Sequence, residues 1–334
     1  MKNMIEVRKL KKNYGNFTAV DEIDFEVYRG EIFGFLGPNG AGKTTTQRML
    51  TSLLTPTGGS IRIDQKDITQ YTREVKSIVG LIPEESNVYN ELTAWDNLMF
   101  TGQLYRMPRK ERKNRAQELL EFFGLWDKKR IKVENYSKGM KRRLSIAMGV
   151  IHQPQLLFLD EPTPGLDPQS AIKIRELIKD LNKKGTTIFL TTHQIEEANQ
   201  LCDRIAIINH GSIAVIDSPE NLKTRINEIQ SVEISLEAAA LQKSSKEYGQ
   251  ALAQLPGVRN VIKIGDKWRL YTDDPTNLLN TLFKFAEKNK ARIITLNTLT
   301  PSLEEVYLDI IGDLQSFQPA EKTSKPHMRN RRMK

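Results

Sequence analysis

The segment Gly37–Thr44 constrains this chain most, because its spacing fits a loop that cradles phosphate groups. Residues 31–36 before it are predicted to form a short buried strand, and residues 45–54 after it a helix. Glycines let consecutive backbone N–H groups point at a polyphosphate, and the helix adds its positive N-terminal end. The alternative is a glycine-rich turn without a ligand. The phosphate-binding interpretation assigns nucleotide contacts to Gly37, Pro38, Asn39, Gly40, Ala41, Gly42, Lys43, Thr44 and Thr45.

Chemical roles follow for this loop and for a second segment that ends in two carboxylates. Lys43 is predicted to reach the β- and γ-phosphates of ATP, and Thr44 to offer its hydroxyl to Mg²⁺. The apolar run 156–159 ends at Asp160 and Glu161. We expect Asp160 to hold Mg²⁺ through water and Glu161 to polarise the water that attacks the γ-phosphate. The alternative is a solvated turn before Pro162.

Three further segments accompany these two. Residues 136–143 open a predicted helix that runs to about residue 151. Residues 164–167 follow the carboxylates, and Thr191-Thr192-His193 follows a predicted strand. In this order they resemble the signature, D-loop and switch histidine of ATP-binding-cassette (ABC) proteins, over about the first 220 residues of the chain. The resemblance implies an α/β P-loop NTPase cassette with a RecA-like core sheet, an antiparallel β subdomain and an inserted helical subdomain.

The resemblance also implies that two copies of the chain pair head to tail. Ser137 and the N–H of Gly139, at a helix start, form an anion site that suits a nucleotide bound by the other copy. His193 is expected to contact the γ-phosphate and to support hydrolysis together with Lys43 and Glu161. Asp167 is expected to line the dimer seam, and it can also cap the helix that begins at Pro168.

Two further residues, Tyr14 and Glu84, are expected near the nucleotide. Tyr14, in the predicted turn 13–16, matches the aromatic of the family that stacks on adenine, although a turn tyrosine also serves packing alone. Glu84 stands where the family usually has glutamine. Its oxygen can still ligate Mg²⁺, but it adds a negative charge near the γ-phosphate. The signature departs as well, because Tyr136, Lys138 and Met140 replace the commonest Leu, Gly and Gln.

Composition bounds the class of protein. The chain has 334 residues and a formal net charge of +9. Its single cysteine, Cys202, excludes an internal disulfide. No apolar run approaches the roughly 20 residues that span a bilayer, and the first residues lack a signal-peptide pattern. If the protein serves transport, we expect another polypeptide to form the pore.

The first predicted domain covers residues 1–223, with a helical subdomain at about 85–153. By resemblance, its edge at residues 86–106 docks a cytoplasmic helix of a membrane partner. Apolar residues recur there at spacings that also suit an ordinary core. Core packing is expected for most of them, whereas Val88 and Tyr89, in a loop, are better contact candidates. The set is Val88, Tyr89, Trp95, Leu98, Phe100 and Leu104.

A second predicted domain, residues 224–313, follows the order β-α-β-β-α-β and suggests a ferredoxin-like layer. Residues 301–307 resemble the end of ATPase subunits of ABC-2 type exporters, the daunorubicin and multidrug resistance group. Ligand sensing, contact with the membrane subunit and support of the cassette dimer are all open roles, with dimer support the first choice. Residues 314–334 contain six basic residues against Glu321, which predicts a disordered tail that either rests on anionic lipid or is solvated.

Two functional classes are compatible with these sequence features. The first is the ATP-hydrolysing subunit of an ABC-2 type membrane exporter, bound to a permease at the cytoplasmic face of the membrane. The second is a soluble ABC protein that acts on nucleic acid or ribosomes, which the basic balance favours. A second P-loop and a sustained heptad run, typical of the latter, are both absent from the sequence. We therefore expect the exporter, with ATP and Mg²⁺ as cofactors and no nucleic-acid partner; the cargo cannot be inferred.

Overall fold

The structure is a computed structural model that describes residues 2–225, 230–237, 245–289, 291–299 and 302–311. The chain divides into two compact units, the first of which ends at Arg225. The domain boundary inferred from the sequence, at residue 223, lies within the last helix of this first unit. Within the described residues, no helix is long and apolar enough to cross a bilayer.

The first unit alternates strands and helices along the chain. Two single-turn helices, Trp126–Lys128 and Val133–Asn135, precede its fifth α-helix. In chain order the elements are β1 (Asn3–Tyr14), β2 (Phe17–Tyr28), β3 (Ile32–Leu36), α1 (Lys43–Leu50), β4 (Gly58–Ile63), β5 (Lys66–Asp67), α2 (Thr72–Ile78), β6 (Val79–Ile82), α3 (Ala94–Leu104), α4 (Arg109–Phe122), α5 (Lys138–Gly149), β7 (Leu156–Asp160), α6 (Pro168–Lys183), β8 (Thr187–Thr192), α7 (Ile195–Leu201), β9 (Arg204–Asn209), β10 (Ser212–Asp217) and α8 (Pro219–Arg225).

A six-stranded sheet in the order β10-β9-β3-β8-β7-β6 forms the centre of this unit. All of its pairings are parallel except that of β9 with β10. Every residue of β3, β7 and β8 is buried, as expected for parallel strands covered on both faces. Because parallel strands present their carboxyl ends at one edge, the segments after β3, β6, β7 and β8 meet there.

A second, antiparallel sheet has the order β2-β1-β4-β5. Its apolar face shares one core with the central sheet, in which the rings of Phe25 (β2) and Phe33 (β3) stack with centroids 5.8 Å apart. Phe189 of β8 lies 5.9 Å from Phe33 in the same cluster. This packing holds the β1–β2 hairpin beside the loop that follows β3.

The helical subdomain consists of α3, α4 and α5. Thr93 caps α3 by accepting a hydrogen bond from the N–H of Asp96, as its sequence predicts. The buried face of α3 carries Ala94, Leu98 and Thr101, which follow helical spacing. Phe100 and Leu104 fall on the opposite face and are exposed, so the core packing expected for most of the apolar residues in this segment does not hold for these two.

The remaining apolar residues of the predicted docking edge have mixed environments. Trp95 is partly buried against Trp126, with ring centroids 6.3 Å apart. Val88 is partly buried, whereas Tyr89 is exposed and meets the ring of Phe100 edge to face at 5.1 Å. An apolar, solvent-facing pair therefore joins the loop before α3 to α3 itself.

The helix after the phosphate loop is shorter than its sequence suggested. It ends at Leu50 instead of residue 54, because Ser52 adopts a left-handed backbone conformation with φ of 55°. A residue in that region stops a right-handed helix. Leu53 consequently lies at the surface.

The second unit has the predicted β-α-β-β-α-β order, followed by a helix. Its four strands form one antiparallel sheet in the order β12-β13-β11-β14. Val232 and Leu270 of the sheet pack with Leu278 and Leu282 in a core of its own. The tail predicted from residue 314 lies outside the described residues. The elements are β11 (Gln230–Leu236), α9 (Ser245–Ala253), β12 (Asn260–Ile264), β13 (Lys267–Thr272), α10 (Pro275–Lys288), β14 (Ile293–Leu299) and α11 (Leu303–Ile310).

Candidate nucleotide-binding site

The loop between β3 and α1 approaches neighbouring backbone so closely that only glycine fits at two of its positions. A Cβ on Gly37 would lie 2.3 Å from the carbonyl oxygen of Ile208. Gly42 has a φ of 106°, and a Cβ there would lie 2.6 Å from the carbonyl oxygen of Ala19. These contacts hold the loop in a tight curve, and α1 begins at Lys43 directly after it.

Lys43 lies inside this curve, and its side chain is only 6% exposed. Its ammonium donates hydrogen bonds to the carbonyl oxygens of Gly37 at 2.8 Å and Pro38 at 3.1 Å. Burial lowers the pKa of Lys43, while the carboxylates of Glu161, Asp160 and Glu84 act in the opposite direction. The charge of Lys43 therefore interacts with the carboxylate predicted to activate water, Glu161, and with those predicted to hold Mg²⁺, Asp160 and Glu84.

The two carboxylates at the end of β7 differ in their environment. Asp160 is buried and accepts a hydrogen bond from the hydroxyl of Thr191, the neighbouring residue on β8. Burial raises the pKa of Asp160. Glu161 has a φ of 45°, a conformation that is rare for residues other than glycine, and its N–H donates to the carbonyl of Thr191 at 3.0 Å.

His193 follows β8 and faces Glu161. Its Nδ1 lies 2.9 Å from Oε1 of Glu161, although the two residues are far apart in sequence. Because an ionised carboxylate can only accept, this contact places the proton on Nδ1 and leaves Nε2 to point elsewhere. The other carboxylate oxygen, Oε2 of Glu161, is buried without a hydrogen-bond partner among the described residues. Such an oxygen is suited to bind a water molecule or substrate group.

A cavity of about 460 Å³ opens beside these groups. It brings together, from five separate segments of the chain, many of the residues that the sequence predicted for nucleotide binding, metal binding and catalysis. It also includes Phe17 and Ala19, which sequence reasoning missed. The hairpin register offered a signal for Phe17, since this residue pairs directly with Tyr14 across the turn. The lining residues are Tyr14, Phe17, Ala19, Asn39, Gly40, Gly42, Lys43, Thr44, Thr45, Glu84, Glu161 and His193.

The predicted Mg²⁺ ligands are only partly assembled. Thr44 and Glu84 line the cavity, whereas Asp160 is buried and bonded to Thr191. No cluster of three or more His, Cys, Asp or Glu side chains is arranged for a metal in the part of the chain that the structure describes. Mg²⁺ commonly takes one or two carboxylates and completes its shell with water and substrate phosphates. The hard oxygen donors of Thr44, Glu84 and Asp160 fit that pattern.

The predicted signature and D-loop residues lie away from this cavity. Ser137 caps α5 by accepting a hydrogen bond from the N–H of Met140 at 3.3 Å. Asp167 caps α6 and accepts from the N–H of Ser170 at 2.9 Å, which lowers its pKa. Gly139 lies against Ser170, because an added Cβ would come within 2.5 Å of the serine Oγ. Among the described residues, these three predicted contacts do not line the cavity around Lys43.

A phosphate loop after β3, paired carboxylates after β7 and a histidine after β8 define the nucleotide site of a P-loop ATPase. The family model for ABC transporters matches residues 20–164. The linearmycin resistance ATP-binding protein LnrL of Bacillus subtilis is 35% identical over 311 residues, which cover 92% of this chain and 98% of the relative. The chain therefore belongs to the ATP-binding proteins of the ABC transporter family, which hydrolyse ATP.

Other relatives and solved structures agree. A fluoroquinolones export ATP-binding protein of Mycobacterium tuberculosis is 44% identical over 66% of this chain and 72% of its own length. A Clostridium perfringens protein that is part of a cbiONQ ABC transporter complex matches with a TM-score of 0.63 and 25% identity, covering 77% of this chain and 97% of that one. A dimeric ATP-binding cassette in a post-hydrolysis state, bound to ADP and phosphate, has a TM-score of 0.59 and 27% identity, covering 64% and 98%.

Proposed function

We propose that this chain powers an ABC-2 type membrane exporter and that two copies close head to tail on two ATP molecules. The dimer is supported by the separation of the predicted nucleotide contacts into two groups within one chain. Lys43 and Glu161 lie at one cavity, whereas Ser137 caps α5, which does not line that cavity. A helix N-terminus is a ready anion site, so Ser137 and Gly139 suit the nucleotide of a second copy. Asp167 would lie along the seam between them.

Within each site the chain's own residues divide the work. Tyr14 offers an aromatic face to adenine, and the loop from Gly37 to Thr45 binds the phosphates through backbone N–H groups. Lys43 exchanges its carbonyl partners for phosphate oxygens. Glu161 accepts a proton from water, and His193 keeps the carboxylate oriented through Nδ1. Mg²⁺, held by Thr44, Glu84 and Asp160, would neutralise charge on the phosphates when bound.

The exporter role is supported by the relatives and by one surface. Relatives that match 92% of this chain are named for drug resistance or export, including linearmycin and daunorubicin resistance ATP-binding proteins. Tyr89, Phe100 and Leu104 present apolar side chains to solvent within residues 86–106. Exposed apolar groups that form a patch are typical of protein contact sites. We assign this patch to a cytoplasmic helix of the permease, which places the chain at the cytoplasmic face of the membrane.

Coexpression with a six-helix permease tests this assignment. The purified complex should contain both polypeptides, and the permease should stimulate ATP hydrolysis. Phe100→Asp should abolish copurification while the isolated chain still hydrolyses ATP. Leu53→Asp is a matched control, because Leu53 is also an exposed apolar residue but lies outside the patch. Retention of the permease by Phe100→Asp, or stimulation of ATPase activity by nucleic acid instead, would contradict the proposal.

A further inference from the structure

Arg142, in the second turn of α5, is almost completely buried, with 3% of its surface exposed. A guanidinium has five N–H donors, and all five are used here. Its partners are backbone carbonyl oxygens on two segments that follow β6 and β7. Nε donates to Pro162 at 3.0 Å, Nη2 donates to Asp160 at 2.8 Å and Glu161 at 3.0 Å, and Nη1 donates to Pro83 and to Glu84 at 3.1 Å.

The charge of this side chain survives its burial. Desolvation lowers the pKa of Arg142 to about 10, and the carboxylate of Glu197 acts most strongly in the opposite direction. The guanidinium therefore stays protonated at neutral pH. A buried cation is tolerated only where its donors are satisfied, and the five carbonyl oxygens satisfy them. The site thus requires a planar fork of five donors, which no other side chain provides.

The carbonyl partners lie where backbone position matters for chemistry. Glu161 has a left-handed backbone that is held on both sides, by its N–H to Thr191 and by its carbonyl oxygen to Arg142. A strained conformation persists only where neighbouring contacts fix it. Arg142 also binds the carbonyl of Glu84, whose side chain lines the nucleotide cavity. One guanidinium therefore joins α5 to the backbone of all three residues with predicted functional carboxylates, Glu84, Asp160 and Glu161.

We propose that Arg142 is a positioning residue for ATP hydrolysis, which fixes the backbone of Glu161 and Glu84 relative to α5. The inference rests on the proposed roles of those two carboxylates. It predicts that loss of the guanidinium misplaces the water-activating group without removing the phosphate loop. The turnover rate should therefore fall while ATP binding, which depends on Lys43 and its loop, remains.

Arg143 provides a matched control on the same helix. Its guanidinium also donates to backbone carbonyls, Phe123 at 2.8 Å and Gly124 at 3.4 Å, but these end α4 within the helical subdomain. Substitution of Arg143 therefore removes a comparable structural contact without touching the segments after β6 and β7. An equal loss of kcat in the Arg142 and Arg143 variants would show that both arginines serve packing only.

The test measures ATP turnover, affinity for a non-hydrolysable ATP analogue and thermal unfolding for Arg142→Gln, Arg142→Lys and Arg143→Gln. Arg142→Gln should lower kcat by about 10-fold or more with little change in analogue affinity, since small misplacements of catalytic groups are costly. Arg142→Lys, which keeps the charge and three donors, should recover part of that loss. Arg143→Gln should keep kcat within about twofold when compared at equal folded fraction, because its hydrogen bonds go to the end of α4 and not to the segments that carry Glu84 and Glu161.

If Arg142→Gln does not fold, Arg142→Lys decides the question: a reduced kcat with native analogue affinity supports the positioning role. Unchanged kcat in a folded Arg142 variant would overturn it, as would an equal loss in Arg143→Gln. These outcomes differ from failure of the proposed function itself. In that case Glu161→Gln would hydrolyse ATP at the same rate as the unmodified chain.

Discussion

The ammonium of Lys43 lies 3.9 Å from Oε1 of Glu161, and both side chains are more than nine-tenths buried. The same carboxylate oxygen lies 2.9 Å from Nδ1 of His193. One oxygen of Glu161 thus faces both Lys43, the predicted phosphate-binding lysine, and His193, the predicted switch histidine. The other oxygen, Oε2, has no partner among the described residues and is the one available to water. A carboxylate held through one oxygen with the other free for water fits the role of a base that we propose for Glu161.

Glu161→Gln should slow ATP hydrolysis by about 10²-fold or more, because an amide cannot accept the proton of the attacking water. Its oxygen can still accept from His193, so the site should keep its shape and bind ATP. Gel filtration with ATP should then show an accumulated dimer. Turnover equal to that of the unmodified chain would remove Glu161 from its assigned role.

The same variant has a consequence for pH. Glu161 raises the pKa of Lys43 against the lowering effect of burial, so removal of its charge should lower the pKa of Lys43. The lysine would then lose its proton at a lower pH. As the pH is raised, ATP binding should therefore be lost at a lower pH in Glu161→Gln than in the unmodified chain, as measured by equilibrium binding. If both proteins lose ATP binding at the same alkaline pH, the pKa of Lys43 does not depend on this carboxylate.

The division of the site between two copies can be tested by complementation. A Lys43→Ala chain mixed with a Ser137→Arg chain leaves one composite site with both halves intact, although each variant alone has none. Such heterodimers should hydrolyse ATP, whereas each homodimer should be inactive. As a control, a chain that carries both substitutions, mixed with the unmodified chain, leaves no intact site in the heterodimer. If each site were self-contained, the mixture of Lys43→Ala and Ser137→Arg chains would be inactive, whereas the control heterodimer would hydrolyse ATP at the site of its unmodified chain.

Glu84→Gln tests the departure from the usual glutamine. The Glu84 side chain is exposed at the cavity, while its carbonyl is held by Arg142, so substitution should leave the backbone in place. We expect ATP hydrolysis to persist with weaker dependence on Mg²⁺, because one oxygen ligand loses its charge. Glu85→Gln is the matched control, since Glu85 is exposed next to it and does not line the cavity around Lys43. Identical Mg²⁺ titrations for all three proteins would refute the metal assignment.

Tyr14→Ala should weaken ATP binding by about 1–3 kcal/mol, the usual worth of base stacking on an aromatic ring. Tyr14→Phe keeps the ring and should bind ATP normally. The hairpin register places Phe17 directly opposite, and its side chain is 63% exposed at the same cavity. Fluorescence titration of both alanine variants distinguishes the two rings. A loss confined to Phe17→Ala would transfer the stacking role from Tyr14 to Phe17.

Sequence reasoning succeeded where the signal lies in consecutive residues. The strand, glycine loop and helix around Lys43 and the carboxylate pair at the end of β7 are local patterns, because each depends on backbone geometry within one turn or strand end. The β-α-β-β-α-β order of the second unit was likewise predictable from alternation and turn residues. Element ends were less predictable: the left-handed Ser52 that stops α1 has no sequence signature comparable to glycine.

Helical spacing alone did not show which face of α3 is buried. Leu98 and Phe100 are similar in hydrophobicity and only two positions apart, yet the first is buried and the second exposed. The choice depends on where α4 and α5 pack, which local sequence does not encode. For the same reason, the apolar patch that we assign to a permease emerged only with the folded chain.

Arg142 illustrates the largest gap between pattern and structure. In the sequence it is one of two adjacent arginines in a basic helix, and nothing separates it from Arg143. In the fold, its guanidinium donates to carbonyl oxygens of two distant segments, including those of Pro83 and Pro162. The guanidinium of Arg143 instead donates to the carbonyl of Phe123 at the end of α4. Backbone carbonyls carry no residue identity, so such partners cannot be found by motif. Residue type and spacing therefore predicted the phosphate chemistry, and only the meeting of distant strand ends revealed what holds Glu161 in place.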